Sequence, residues 1–376
     1  MNNRIPIAIC GGGNIAHALV ARIGANPAYE VRLLTRNPKD WQKRIDMEDA
    51  YGNRAFGILS YCSSNPREII PGCKMVICTV PSFARNDVLQ LIAPWVDSGV
   101  YLGSFPAIGG FDWQVLSVKE LADKDVIIFG TQRVPCIART IHYGSSVMGD
   151  YKPEIFIAAK PHEYEDDISH FLEAALNQKV SRLNHFLEIT LATSNPILHP
   201  ARMYSIFRDY KKDDRWTEPI LFYEHWSNFA TEILLEMDRE VHNIIKKIPC
   251  NLQGILPLVT HYGVVDGDGL TKKIRSIPSF KGIMTPMKYD GKGWVPDFES
   301  RYFTEDITYG LVIVKAIAEL CKISTPQIDS VLTWAQKNMN KEYLTSTGLD
   351  GADTNELPLP SRYMMHSIND LMLSRR

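Results

Sequence analysis

Short apolar segments alternate with amphipathic helical patterns through the first half of the chain. The apolar segments are rich in Val and Ile, which suit β-strands. They fall at 5–10, 31–35, 75–80, 100–104, 126–130, 155–159 and 180–183. The stretches between them, of which 163–176 is the most regular, have the spacing of amphipathic helices. This alternation predicts a mostly parallel sheet covered by helices on both faces.

The first apolar segment ends in three glycines, and a helix-compatible run follows at once. Gly11 permits a tight turn, and Gly13 removes a side chain where a pyrophosphate would approach the backbone. Ala16 takes the place of a third glycine where helix and strand pack closely. Asn14 and Ile15 begin the helix, whose unpaired amides would face phosphate. The pattern predicts a Rossmann-type nucleotide-binding domain, with a purely structural glycine turn as the alternative.

The end of the second strand bears on the choice of nicotinamide cofactor. An acidic residue there would bind a ribose 2′-hydroxyl, but the chain has Thr35 and Arg36. A guanidinium can hold a 2′-phosphate in a forked contact, so NADP is favoured and NAD is the alternative. Arg36 as a solvated loop residue is also open. Lys39, Lys43 and Arg44 add positive charge nearby, or form an exposed helix face.

Two further strand ends carry candidate cofactor contacts. Val80 and Pro81 end the strand at 75–80, and the loop at 105–110 follows the next strand. Loops at the carboxyl ends of parallel strands line the ligand crevice, although ordinary chain reversal explains them equally well. In the segment 132–139, Cys136 either faces substrate or is a small buried hydrophobe.

The second half of the chain has mainly helical periodicity. Helices are expected at 186–203, 220–248, 304–320 and 325–339, with loops at 263–269 and 276–293. At 376 residues the chain is long for a single core, so two domains are expected. We predict a Rossmann-type, doubly wound parallel sheet in residues 1–184, followed by an all-α domain in residues 185–376.

Composition narrows the class of protein. A formal net charge of -2 supplies no basic field for nucleic acid. No apolar run reaches the length of a membrane span, and the N-terminus reads as a strand rather than a leader. The seven cysteines are scattered without Cys-x-x-Cys spacing, so we expect no metal site and reduced thiols in a cytoplasmic protein.

One candidate for acid-base chemistry lies in the first helical run. His199 is flanked by Pro196 and Pro200, which are expected to break or kink the helix and so fix the angle of the imidazole. Asn195 and Arg202 are close in sequence. A packed or capping histidine is the alternative.

A second candidate lies at 299–311. Thr304 reads as a helix N-cap, with Asp306 in the first turn, where a carboxylate suits the helix dipole. Arg301 suits a carboxylate substrate or a surface ion pair. A histidine needs an orienting carboxylate to act as an acid or base, and Asp306 is a candidate partner for His199.

Four motifs in this order resemble the opine dehydrogenases, the octopine and nopaline dehydrogenase family. The motifs are GGGNIAHA at 11–18, NPILHPAR at 195–202, RYFTEDITYGL at 301–311 and STPQID at 324–329. The resemblance implies that the Rossmann domain binds NAD(P)H and that a helical domain closes over an α-keto acid and an amino acid. It also implies that His199 and Asp306 form the catalytic pair and that Arg301 binds a carboxylate. Thr308 and Ala138 depart from the residues common in that family.

The resulting hypothesis is an NADP(H)-preferring oxidoreductase that acts on CH–NH donors. It would condense pyruvate or 2-oxoglutarate with an amino acid and reduce the imine, with Arg202 and Asn195 as further substrate contacts. The alternatives are a related reductase of the ketopantoate, glycerol-phosphate or β-hydroxyacid type and a non-catalytic NADP(H) sensor. The apolar spacing of Ile317, Leu320 and Cys321 suits a core, or the face of a homodimer.

Overall fold

The computed structural model describes residues 4–193 and 195–373 and divides into two compact units. The first unit ends at Thr190, and the second spans Leu191–Leu373. The division falls later than the predicted boundary after residue 184. The reason is that Phe186 and Ile189 lie in an apolar core of the first unit.

The first unit alternates strands and helices along most of its length. Its strands are β1 (Ile5–Cys10), β2 (Tyr29–Leu34), β3 (Arg44–Glu48), β4 (Arg54–Ser63), β5 (Met75–Cys78), β6 (Tyr101–Ser104), β7 (Ile127–Thr131), β8 (Cys136–His142), β9 (Ser146–Tyr151), β10 (Glu154–Lys160) and β11 (Lys179–Arg182). Its helices are α1 (Asn14–Ile23), α2 (Pro66–Ile69), α3 (Ser82–Ile92), α4 (Phe111–Ser117), α5 (Lys119–Ala122), α6 (Glu165–Leu176) and α7 (Leu187–Thr190).

Six parallel strands form the centre of the sheet, in the order β7-β6-β5-β1-β2-β4. Numbered one to six in chain order and read from β4 to β7, these strands have the order 3-2-1-4-5-6 of a Rossmann sheet. The order reverses between β1 and β5. The carboxyl ends of these two strands therefore border the crevice where such sheets bind dinucleotides.

Both faces of the sheet are covered, and β1 shows this residue by residue. Ile7 and Ile9 lie in one apolar core, while Ala8 and Cys10 lie in the other. Because successive side chains of a strand point to opposite faces, this division means that helices cover the sheet on both sides.

Four strands on one side of the sheet, β4, β3, β9 and β8, lie outside the predicted strands. At one edge β3 pairs antiparallel with β4, β9 pairs parallel with β3, and β8 pairs antiparallel with β9. At the other edge β10 pairs antiparallel with β7. The suggested helix face at Lys39, Lys43 and Arg44 is wrong, because Arg44 begins β3 and pairs in register with Ile58.

The second unit is mostly helical. Its helices are α8 (Asn195–Phe207), α9 (Asn228–Lys247), α10 (Leu258–His261), α11 (Gly267–Ser276), α12 (Arg301–Thr304), a π-helix (Ile307–Leu311), α13 (Val312–Leu320), α14 (Pro326–Met339) and α15 (Ile368–Leu373). The unit also contains a small antiparallel hairpin, β12 (Met287–Tyr289) with β13 (Trp294–Pro296), so it is not strictly all-α as predicted. Within the described residues, no helix combines the length and apolar character needed to cross a bilayer.

The long helix α9 organises the second unit, packing against α8, α11 and α14. It begins at Asn228 rather than at the predicted 220, because the Ser227 hydroxyl caps it by accepting from the Ala230 amide. Ile317 and Cys321 are buried, which places their apolar stripe in the core.

Candidate active site

The glycine turn has the geometry of a phosphate-binding loop. Gly11 has φ of +139°, and a Cβ there would lie 2.4 Å from Thr79 Oγ1 at the end of β5, so a side chain is excluded. Gly13 directly precedes α1, and no heavy atom of the surrounding described chain lies within 4 Å of where its Cβ would be. The first amides of α1, which lack intrahelical acceptors, thus open onto space that a pyrophosphate can enter.

The helix residues predicted at this turn have different surroundings. Ala16 is fully buried against the sheet, as expected for a close contact between helix and strand. Ile15 is half-buried and packs on the same core. The Asn14 Oδ1 accepts hydrogen bonds from the Thr140 amide at 3.0 Å and from its hydroxyl at 2.8 Å, which ties the start of α1 to β8.

The turn between β8 and β9 also reaches the glycine loop, which the sequence did not predict. A Cβ on Gly12 would lie 2.8 Å from the Tyr143 hydroxyl. The Gly144 amide donates to Nε2 of His17 at 2.7 Å, so Nδ1 carries the proton and donates to the Gly13 carbonyl at 2.8 Å. Burial lowers the pKa of His17. A neutral imidazole therefore joins this turn to the loop.

The residues predicted to choose the cofactor lie at the end of β2. Thr35 is buried, and its amide donates to the Ser63 carbonyl at 3.0 Å. Arg36 is exposed, and no described residue bonds its guanidinium. Val80 and Pro81 are half-buried and directly precede α3. These positions fit a nicotinamide nucleotide bound across the ends of β1, β2 and β5.

In the second unit, His199 and Asp306 form a hydrogen-bonded pair although 107 residues separate them. Nδ1 of His199 lies 2.7 Å from Oδ2 of Asp306, and the two residues are only 8% and 7% exposed. An ionised carboxylate can only accept, so Nδ1 carries the proton and Nε2 has a lone pair. The pair can therefore take up and release a proton at Nε2.

Close packing of two helical segments positions this pair. α8 continues unbroken through Pro200, where a break or a kink was expected. Asp306 directly precedes the π-helix, and its carbonyl accepts from the Leu311 amide at 2.9 Å, five residues on. Gly310 lies against Pro196 of α8, where a Cβ would approach the proline Cβ to 2.8 Å. The predicted N-cap at Thr304 is wrong, because α12 starts at Arg301 and Thr304 is its last residue.

Aromatic side chains surround His199, and the sequence did not indicate them. The Tyr223 hydroxyl lies 2.9 Å from Nε2. The rings of Tyr302 and Phe222 lie 4.4 and 5.5 Å from the imidazole, centroid to centroid. Tyr223 and Phe222 fall within the predicted helix at 220–248, whereas they lie in the loop before α9. Because they were assigned to a helix, they were not identified as site residues.

Arg202 is 3% exposed, and its guanidinium donates to main-chain carbonyls. Nε donates to the Phe222 carbonyl at 2.8 Å, and Nη2 donates to His225 at 2.7 Å and to Leu221 at 3.4 Å. Burial, and then the nearby charge of Arg275, lower its pKa to about 10. These bonds give Arg202 a structural role, holding the segment that carries the aromatic pair.

Three other candidates lie in contrasting surroundings. Arg301 is exposed at the start of α12, and no described residue pairs with its guanidinium. Asn195 is exposed at the first position of α8. Cys136 is fully buried, and burial raises the pKa of its thiol to about 12. Its surroundings are those of a small buried hydrophobe.

Comparisons with known proteins cover the whole chain. Residues 182–339 match the family described as NAD/NADP octopine/nopaline dehydrogenase, alpha-helical domain. The tauropine dehydrogenase of Arabella iricolor is 29% identical in an alignment 399 positions long, which covers 98% of this chain and 100% of that protein. A structure of octopine dehydrogenase with NADH and L-arginine has a TM-score of 0.87 at 24% identity and covers 99% of this chain and 98% of its own. A second, with NADH and pyruvate, has a TM-score of 0.85 at 24% identity with the same coverage.

The Rossmann strand order, the glycine turn and the matched helical domain define an NAD(P)-dependent oxidoreductase. The fold prediction of a Rossmann domain followed by a helical domain is confirmed. Residues 182–339 match the helical domain of the octopine and nopaline dehydrogenases, and opine dehydrogenases are similar to this chain along its length, as the resemblance of its motifs implied.

Proposed function

We propose that this protein uses NADPH to condense an α-keto acid with an amino acid and reduce the product to an N-(carboxyalkyl) amino acid. The observation that carries the proposal is the buried hydrogen bond between His199 and Asp306. A keto acid and an amine form an imine only with proton transfers to and from the reacting atoms, which such a pair can perform. The pyruvate and L-arginine in the octopine dehydrogenase structures support this substrate class, with 2-oxoglutarate as a second candidate keto acid.

The first unit holds the cofactor in this proposal. Amides at Gly13 and the start of α1 bind the pyrophosphate, and Gly11 keeps the turn clear of side chains. Val80 and Pro81 line the crevice beside it. The bound cofactor supplies the hydride that reduces the imine carbon.

The second unit supplies the acid-base chemistry. His199 removes a proton from the substrate ammonium group, which frees a lone pair to attack the keto carbon. After a proton passes from the added nitrogen to the alkoxide oxygen, His199 returns its own proton to the resulting hydroxyl, which leaves as water. Asp306 fixes the tautomer of the imidazole and stabilises its charged form. Arg301 binds a substrate carboxylate through a forked pair of hydrogen bonds, and Asn195 is a further polar contact.

A coupled substrate screen tests the reaction. Purified protein is mixed with NADPH, pyruvate or 2-oxoglutarate, and each amino acid in turn, and absorbance of NADPH is followed. We expect oxidation that requires both substrates and that His199→Gln abolishes. Oxidation with the keto acid alone would identify a reductase of the ketopantoate type. NADPH binding without turnover in any mixture would identify a sensor.

We further propose that Arg36 makes the cofactor site prefer NADPH over NADH. The guanidinium is exposed, and the end of β2 carries Thr35 in place of an acidic residue that would repel a 2′-phosphate. Fluorescence titration should show tighter binding of NADPH than of NADH. Arg36→Gln should weaken NADPH binding about tenfold, the loss of one charge-assisted contact, and leave NADH unchanged. Tighter binding of NADH to the unaltered protein would overturn this preference.

A further inference from the structure

The hydroxyl of Tyr223 is hydrogen-bonded to the proton-accepting nitrogen of His199. Its hydroxyl lies 2.9 Å from Nε2, while Asp306 accepts from Nδ1 on the other side of the ring. Because Nδ1 carries the proton, Nε2 must accept, and the phenolic O–H is the donor. Asp306, His199 and Tyr223 therefore form one continuous hydrogen-bonded chain.

The ring of Tyr223 is held in this position by its neighbours. It stacks on Phe280 at 3.9 Å with an interplanar angle of 14°, and Phe222 meets it edge-on at 4.7 Å. It lies nearly parallel to Trp226, at 6.4 Å and 8°. The residue is only 6% exposed. Moving the phenol away from His199 would break these contacts, so the phenolic oxygen stays beside Nε2.

The phenol is also kept neutral. Burial raises the pKa of Tyr223 well above its usual value, and the nearby Tyr302, Tyr262 and Asp306 add to the rise. A free tyrosinate is therefore costly. A neutral phenol can still relay a proton, because it gains one at oxygen as it loses its own.

We propose that Tyr223 is a catalytic residue, the substrate-facing end of a proton relay that runs through His199 to Asp306. This inference rests on the proposed function and identifies the group that touches the reacting atoms. In the first transfer the substrate ammonium proton passes to the phenolic oxygen while the phenolic proton passes to Nε2. The amine then has its lone pair and attacks the keto carbon, while the imidazolium is balanced by Asp306. A proton passes from the added nitrogen to the alkoxide oxygen, which gives the carbinolamine.

The second transfer reverses the first. The proton on Nε2 returns to the phenolic oxygen while the phenol protonates the carbinolamine hydroxyl. The C–O bond breaks, water leaves, and the nitrogen lone pair forms the C=N bond. The two transfers sum to no net change in protons on the protein. Neither needs an oxidant or a reductant.

The test is Tyr223→Phe, which keeps the stacked ring and removes only the hydroxyl. Under saturating substrates we expect kcat to fall about 100-fold or more, as expected for lost acid-base catalysis, with NADPH affinity unchanged. A proton inventory in mixtures of H2O and D2O should be curved for the unaltered enzyme and linear for the variant, since only the former moves two protons together. Tyr210→Phe is the matched control, because that half-buried tyrosine stacks on Trp216 instead.

The outcomes separate the relay from the overall function. If Tyr223→Phe keeps full kcat, or shows the same curved inventory as the unaltered enzyme, the relay is wrong. If His199→Gln also keeps activity, the proposed acid-base function fails with it. Thermal unfolding of both Tyr→Phe variants shows whether a loss of rate reflects a loss of folded protein.

Discussion

Replacing Asp306 by Asn removes one charge and leaves the shape of the side chain unchanged. In the folded protein the carboxylate is 7% exposed and accepts from Nδ1 of His199 at 2.7 Å. An amide oxygen can still accept this hydrogen bond. It cannot offset the positive charge that the imidazole gains when it takes a proton from substrate.

The size of the effect follows from this bond. A hydrogen bond to a charged group contributes about 1.5–3 kcal/mol, roughly twice the neutral value. If that contribution is lost only when the imidazole is charged, it is lost from the activation barrier. At about 1.4 kcal/mol for each factor of ten, kcat should fall about 10- to 150-fold.

The assay is steady-state oxidation of NADPH with both co-substrates saturating, so that the change in kcat is separated from changes in KM. Asp209→Asn is the matched control, because the side chain of Asp209 is 87% exposed and, among the described residues, its carboxylate pairs with the neighbouring Arg208 alone. An exposed pair of this kind contributes little. A folded Asp306→Asn enzyme with kcat within twofold of normal would refute the role of this carboxylate.

Three further variants test how the two units are built. Gly310→Ala should lower the free energy of unfolding by about 1–3 kcal/mol and reduce kcat, because its Cβ would meet Pro196 at 2.8 Å. Unfolding in urea checks the first effect, and turnover checks the second. Unchanged stability would show that the π-helix can move away from α8 at no cost in free energy. Arg202→Lys should lower the free energy of unfolding by about 2–4 kcal/mol, because a lysine leaves buried carbonyls unpaired. Fluorescence titration of the same variant should show unchanged affinity for NADPH. His17→Gln should make stability less dependent on pH. Burial lowers the pKa of His17 in the folded state, so its contribution is present above about pH 6.5 and is lost as the pH falls below that value. Urea titrations at pH 7.5 and 5 should therefore show a larger loss for the unaltered protein than for the variant, and equal losses would contradict this account.

Local patterns were enough to predict β1, the glycine turn and α1. Alternating apolar residues and a backbone that excludes a side chain at Gly11 are properties of consecutive residues. The same reasoning missed β3, β4, β8 and β9, which lie together on one side of the sheet and have half-exposed residues and weak apolar patterns. The two pairs of neighbouring strands are joined by the pairing of Asp46 in β3 with Ser146 in β9, and short windows of sequence carry little signal of a contact so distant along the chain.

The candidate site divides in the same way. The residue types of His199 and Asp306 suggested an acid-base pair, and the structure places them 2.7 Å apart, while their catalytic role stays a prediction. Arg202 was expected to bind substrate, but folding surrounds its guanidinium with main-chain carbonyls. Which polar groups already have hydrogen-bond partners within the protein is decided by folding.

By itself, the sequence determined the Rossmann turn, the alternation of strands and helices through much of the first unit, and the residue types available for proton transfer. Those properties depend on side-chain chemistry and on conformational preferences over a few residues. The tertiary structure decided that Tyr223 meets His199, that a π-helix positions Asp306, and that Tyr143 reaches the glycine loop. These contacts depend on how separate elements pack, and packing is set by the whole core rather than by any one segment.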